Sequence, residues 1–160
     1  MIKILSIDFD YFQQVSPELV KSYPEGYDYS AEECKFRWID TYCSADIKSV
    51  TVNRDEIDAA KALLKRQNGI QKAMIAKSHK SIYDFVKEPC MERNVLLYNI
   101  DMHHDMFNKN PELDCGNWIG HLSQISKQLI IKWVCNPVSE EVYGLNEKNT
   151  VLFIVFDSRN

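Results

Sequence analysis

The chain has 160 residues, a net charge of −4, 45% hydrophobic residues and 26% charged residues. That length predicts one domain with a substantial core, and the mildly acidic balance leaves no basic footprint for a nucleic-acid partner. Five cysteines without a C-x-x-C pair, no secretory leader and no apolar run of about 18 residues predict reduced thiols, a cytoplasmic location and no membrane partner.

Met1 to Ile7 reads as a strand, with Ile2, Ile4, Leu5 and Ile7 apolar. Its start at the terminus and its apolar character predict a central strand covered on both faces. It ends in Asp8-Phe-Asp10, two carboxylates one residue apart. Residues 13–50 are less regular, holding Pro17, Pro24, Gly26 and the tyrosines Tyr23, Tyr27, Tyr29 and Tyr42. Ser30-Ala-Glu-Glu33 has the form of a capping box, opening a helix through Phe36, Arg37, Trp38 and Ile39. Following the Asp pair, this insertion is placed to be a lid or substrate wall. Its acidic residues Glu32, Glu33 and Asp40 suit a cationic substrate, although an ordinary solvated helix face explains each as well.

Asn53 or Asp55 caps a predicted helix over Glu56 to Gln67, with Ile57, Ala60, Leu63 and Leu64 on one stripe and Gly69 as the stop. Ile70 to Ala76 then reads as a short strand delivering His79, and Ser81 to Glu88 as a helix ahead of Pro89. Val95 to Ile100 is a buried strand, running into Asp101-Met-His-His-Asp105. If the strand conformation persists, Asp101, His103 and Asp105 share one face at period two. Asp114-Cys-Gly-Asn-Trp-Ile-Gly120 follows, where Gly116 and Gly120 suggest close backbone approach. A helix through Leu122, Ile125 and Leu129, a strand over Ile130 to Val134, a loop or short helix over 137–145 and a strand from Val151 to Phe156 complete the chain. This alternation predicts an α/β fold, three-layer α/β/α, with a mostly parallel sheet, right-handed crossovers and helices on both faces.

Open α/β sheets place ligands at the carboxyl ends of their strands. Here such ends present Asp8 and Asp10, His79, and Asp101, His103 and Asp105. Carboxylates and imidazoles without thiolate suit Mn, Zn or Fe rather than a structural zinc knuckle. Four carboxylates and two imidazoles are enough for two divalent ions, which acidify a shared water for attack on an amide, guanidinium or phosphoryl centre.

These motifs together resemble the ureohydrolase (arginase/deacetylase) superfamily. Ile100-Asp-Met-His-His-Asp105 is similar to its central D-x-H-x-D motif, and His79 to its preceding strand-end histidine. Ser6-Ile-Asp8-Phe-Asp10 is similar to its D-x-D motif, placed first here rather than last. Cys115-Gly-Asn117-Trp-Ile-Gly120 resembles the S-G-N-x-H-G segment that lines the substrate pocket. The resemblance implies two Mn²⁺ ions bridged by Asp8 and Asp101, with His79 and Asp105 completing one site and His103 and Asp10 the other. It implies substrate contacts from Asn117 and Cys115. The proton-shuttling histidine of the family falls on Ile119, so His121 or His104 is the substitute.

A chain this short is most similar to the peptide arginases, which hydrolyse arginine side chains of a precursor peptide to ornithine and urea. A metal-dependent phosphoesterase is the alternative enzyme: Asp8-Phe-Asp10 resembles the haloacid-dehalogenase phosphatases, and Met102-His-His the Asp-His-His phosphodiesterases. Neither accounts for His79. A non-catalytic, metal-stabilised peptide-binding module is the third reading, and it requires a closed metal site rather than an open one.

Overall fold

The structure, a computed structural model, describes residues 1–23, 31–44, 50–107, 111–145 and 151–157. The expected Ser30 cap, together with Pro24, Gly26, Tyr27 and Tyr29, lies outside the described residues. Four strands form the main sheet in the order β1 (Ile2–Ile7), β4 (Asn94–Asp101), β5 (Gln128–Cys135), β6 (Val151–Asp157). The first three run parallel, Ile2 opposite Val95 and Asn94 opposite Gln128, and β6 returns antiparallel with Val134 opposite Val151. The chain is therefore α/β with a parallel core to its sheet.

Along β4 and β5 burial alternates, as side chains of period two require. Val95, Leu97, Leu129 and Ile131 are buried against Val86 and Cys90 of α4 (His79–Glu92) and Trp118, Ile119 and Leu122 of α5 (Trp118–Ile125), and Ile2 and Ile4 join from β1. Each such fully buried aliphatic chain contributes about 1.5–3 kcal/mol. The other face, with Leu96, Tyr98, Ile100, Ile130 and Val134, is only half-buried. The expectation of β1 as a central strand is corrected: β4 pairs on both sides, β1 stands at an edge, and Lys3 and Leu5 are exposed.

Residues 70–76 do not form the expected strand. They are irregular, with Ile70 and Ile75 exposed, and Ile75 fully so. A strand exists only through a neighbour that takes up its backbone hydrogen bonds, and a short apolar run does not specify that neighbour. His79 is accordingly not at a strand end. It is the first residue of α4, behind the cap Ser78, whose hydroxyl accepts from the Lys80 amide at 3.2 Å. That helix extends through Pro89 to Glu92, longer than the expected span.

Helix α3 (Arg54–Arg66) is capped by Asn53, whose side chain accepts from the Glu56 amide at 3.3 Å; Gly69 beyond it adopts φ +81°. Its apolar stripe stays largely open, with Leu63 and Leu64 exposed. Leu129 belongs to β5, because α5 stops at Ile125, where the Ser126 hydroxyl donates to the Leu122 carbonyl at 2.6 Å. Gly120 needs no unusual closeness: a Cβ there would meet the Met106 Cα at 3.7 Å, an ordinary contact.

The 13–50 insertion begins and ends at one place. β2 (Gln13–Gln14) pairs antiparallel with β3 (Thr51–Val52), and the Asn53 amide donates to the Phe12 carbonyl at 2.8 Å. Within it lie α1 (Pro17–Lys21) and α2 (Ala31–Ser44), the helix expected through Ile39. Phe36, Trp38 and Ile39 are exposed on α2. From the far side Asn136, the cap of α6 (Pro137–Val142), donates to the Tyr11 and Gln13 carbonyls at 2.6 and 2.8 Å. Among the described residues no helix is long and apolar enough to cross a membrane.

Candidate metal centre

The ladder between β1 and β4 continues one residue past β1, the Asp8 amide donating to the Ile100 carbonyl at 2.9 Å. Asp8 then turns the chain. Its Oδ1 accepts from the Asp10 amide at 3.1 Å, and a 3-10 turn over Phe9–Phe12 follows. Both carboxylates of the pair thereby face the end of β4. Asp10 Oδ1 accepts from the Met102 amide at 3.2 Å, and its Oδ2 lies 2.8 Å from His103 Nδ1.

The strand conformation of β4 stops at Asp101, so the shared face of Asp101, His103 and Asp105 is not made by a strand. The chain bends over 102–105 and Asp105 adopts φ +53°, a region Asp tolerates better than most residues. Asp101 Oδ1 accepts from the His103 amide at 2.8 Å and its Oδ2 from Asn99 Nδ2 at 3.3 Å. The Trp133 indole donates to the Asp101 carbonyl at 2.9 Å and the Ser139 hydroxyl to the Met102 carbonyl at 2.7 Å. Period two stops with the strand, but the bend still brings Asp101 and His103 into one group.

Two donor groups result. Asp8, His79 and Asp101 form one; Asp10, Asp101 and His103 form the other; within each, the donor atoms lie within 4.8 Å of one another. Asp101 belongs to both. His79 Nε2 is 3.3 Å from Asp8 Oδ2 and 4.0 Å from Asp101 Oδ2. Neighbouring donors on one octahedral ion, at about 2.1 Å from it, stand about 3.0 Å apart. The closest His–Asp spacings in the two groups fit that geometry.

Asp105, expected as a ligand, lies behind His79 instead. Its Oδ2 is 3.0 Å from His79 Nδ1 and accepts the Trp118 indole at 2.6 Å, while its carbonyl accepts from the Ile119 and Gly120 amides at the start of α5. The left-handed turn at Asp105 produces this placement. It leaves His79 Nε2 aimed at Asp8 and Asp101, the arrangement by which a carboxylate orients a ligating imidazole.

Burial and crowding set the protonation of the cluster. Burial, then the Asp10 charge, holds the Asp8 carboxyl above its ordinary range. Burial, then the charges of Asp105, Asp10 and Asp8, holds Asp101 well above it. For Asp10 burial acts upward too, but the His103 hydrogen bond and charge outweigh it and the carboxyl is held low. Burial disfavours the His79 cation, yet the Asp105 hydrogen bond and the Asp105, Asp8 and Asp10 charges push its pKa up to about 9. His103 is raised in the same way, its Asp10 contact outweighing burial. The cluster thus carries more carboxylate than its imidazoles can neutralise, a charge state suited to cations. The amide oxygen of Asn99, fully buried beside Asp101, has no hydrogen-bond partner among the described residues, another acceptor left open here.

The remaining expected residues stand apart. Asn117 is 2% exposed, its Oδ1 accepting from the Asp114 amide at 2.8 Å and its Nδ2 donating to the Glu112 carbonyl at 2.7 Å. It braces its own loop. Cys115 is half-buried on that loop. His121 lies half-buried one turn into α5, and among the described residues its ring makes no contact with the cluster. His104 lies among the rings of Phe107, Trp133 and Tyr143, and burial holds its pKa low. Two open surface clefts, one between Phe9, Val52 and α3 and one between Gln13, Asn53 and Val138, include none of the donor residues.

Four residues escaped the sequence reading: Asn99, Trp118, Trp133 and Tyr143. Asn99 alone carried a signal, a polar residue two before Asp101 on the core-facing side of a buried strand. Comparison with family models, with curated proteins and with solved structures found no match.

Proposed function

We propose that this chain is a hydrolase that uses two divalent cations, Mn²⁺ by its donor set, to cleave the guanidinium of arginine side chains within a peptide. The products are ornithine and urea. One observation carries the reading: two groups of oxygen and nitrogen donors share Asp101 at the carboxyl ends of β1 and β4. The motif resemblance to the ureohydrolases supports it, and with it the finer reading of the fold as a three-layer α/β/α sheet of the arginase/deacetylase kind. The free thiols of Cys43 and Cys90 are in keeping with a reducing cytoplasm.

Bound there, a pair of divalent cations supplies Lewis acidity and a water whose pKa is brought near neutrality. Asp101 is the shared carboxylate, Asp8 and His79 complete one group, and Asp10 and His103 the other. Asp105 fixes the His79 ring through Nδ1, and Trp118 in turn fixes Asp105. To serve as a ligand His79, whose pKa its carboxylate neighbours raise, would have to give up its proton. In the reaction water provides the oxygen, the bond from the guanidinium carbon to the arginine Nε breaks, and that nitrogen takes a proton as urea departs.

The test is mass spectrometry of Mn²⁺-equilibrated protein incubated with arginine-containing peptides. A loss of about 42 Da per arginine, with urea released, marks conversion to ornithine. Peptides that return unchanged, or phosphate release from an aryl phosphate instead, overturn the proposal.

A further inference from the structure

Beside the donor groups stands a set of rings that ligation does not use. His104 lies 4.4 Å from Phe107, 5.0 Å from Tyr143 and 5.8 Å from Trp133, centroid to centroid. Trp133 and Tyr143 are 5.5 Å apart, Phe107 and Tyr143 6.3 Å. The rings form one continuous wall with a buried end and an open end. Trp133, 2% exposed, holds the Asp101 carbonyl through its indole N–H. Phe107, 37% exposed, and half-buried Tyr143 reach solvent. The wall therefore runs from the surface to the foot of the shared carboxylate.

Its electrostatics have one sign. His104 Nδ1 accepts from the Met106 amide at 3.0 Å, which places the ring hydrogen on Nε2 and leaves the ring uncharged. Aromatic faces are electron-rich and attract cations. Burial, then the charges of Asp105, Asp101 and Asp10, raises the Tyr143 phenol, which sets that ring within the field of the carboxylates.

We propose that the wall formed by Phe107, His104 and Tyr143 is the surface on which substrate docks, and that it takes a planar, delocalised cation: the guanidinium of an arginine side chain in a peptide. A guanidinium stacks flat on rings and is less strongly hydrated than an ammonium, so this wall favours arginine over lysine. The neutral ureido group of citrulline has the shape without the charge. The proposal rests on the hydrolase reading for which bond is cut, but the wall is tested by binding alone.

The experiment measures anisotropy of a fluorescein-labelled peptide with the full chain and saturating Mn²⁺. Peptides differing only in one arginine, lysine or citrulline are compared, for the native protein and for Phe107→Leu and Tyr143→Leu. The expected result is preference for the arginine peptide, weakened about 3- to 30-fold by each substitution, with Mn²⁺ uptake unchanged. Phe107 is exposed enough for its leucine variant to fold, so that variant alone carries the test if the other does not. Equal binding of the three peptides, no binding, or leucine variants that bind as the native protein does, overturns the wall. Urea release is assayed separately: turnover with an unchanged KM in the variants overturns the wall and keeps the hydrolase, whereas arginine-selective binding without urea overturns the hydrolase and keeps the wall.

Discussion

Replacing His79 with glutamine removes the most strongly perturbed histidine of the cluster and gives a signature that depends on sign. In the metal-free protein the His79 pKa is about 9, against 6.5 for the unperturbed side chain. The side chain is only 10% exposed, so solvent screening takes little from this. The difference corresponds to about 3 kcal/mol. Because the folded pKa is the higher, that stability is fully present below about pH 6.5 and is lost as pH rises to about 9. For a chain of this size the loss lowers the melting temperature by roughly 6–12 °C. The assay is thermal unfolding of chelator-treated protein from pH 6 to 9.5, native against His79→Gln, so that groups not coupled to His79 cancel in the difference. Mn²⁺ should reverse the trend: binding expels the His79 proton, so the stabilisation by metal grows with pH over the same window. At a hundred times its dissociation constant the metal adds about 2.7 kcal/mol. A native-minus-variant difference that is flat across pH, or one that grows as pH rises without metal, refutes the reasoning.

Asp101→Asn should abolish binding of both ions, read by Mn²⁺ titration, while leaving the metal-free protein at least as stable as native, because it removes a buried charge from among three other carboxylates. Trp118→Phe should cost about 1.5–3 kcal/mol in urea unfolding, through the lost hydrogen bond to a buried carboxylate, and should weaken metal uptake about 10- to 100-fold by freeing the His79 ring. The Cys90 thiol, fully buried and pushed up to about 11 by that burial, should resist alkylation at pH 8 until the protein is unfolded, whereas exposed Cys43 should react at once.

Much of the fold could be read from residue pattern where a segment's environment is decided locally. The alternation of β4, the Asn53 cap and the apolar residues of β5 all carry their signal within a few neighbours. What could not be read depends on partners distant in sequence. Nothing in Ile2–Ile7 tells an edge strand from a central one, since only the choice of neighbours decides it, and residues 70–76 have strand composition without a strand beside them. The site divides in the same way. Asp8, Asp10, His79, Asp101 and His103 come together as their motifs implied, although His79 arrives from a helix start. Asp105 does not take the ligand position that its spacing implied, because a single positive φ turns it behind the ring. The expectation of Asn117 as a substrate contact rests only on the resemblance of its segment to a pocket-lining motif; its amide hydrogen-bonds within its own loop. Tyr143 and Trp133 had no motif, since aromatic residues ordinarily signal core.

The ribbon joining Gln13–Gln14 to Thr51–Val52 stitches the two ends of the 15–50 segment together, while its first helix, α1, packs against α6. Chain added or removed between those stitches leaves the register of β1, β4 and β5 untouched, and lengthening a loop raises its closure cost only slowly. A different segment can therefore be grafted beyond α1 onto the same stitches without re-engineering the end of the sheet where the Asp and His donors gather.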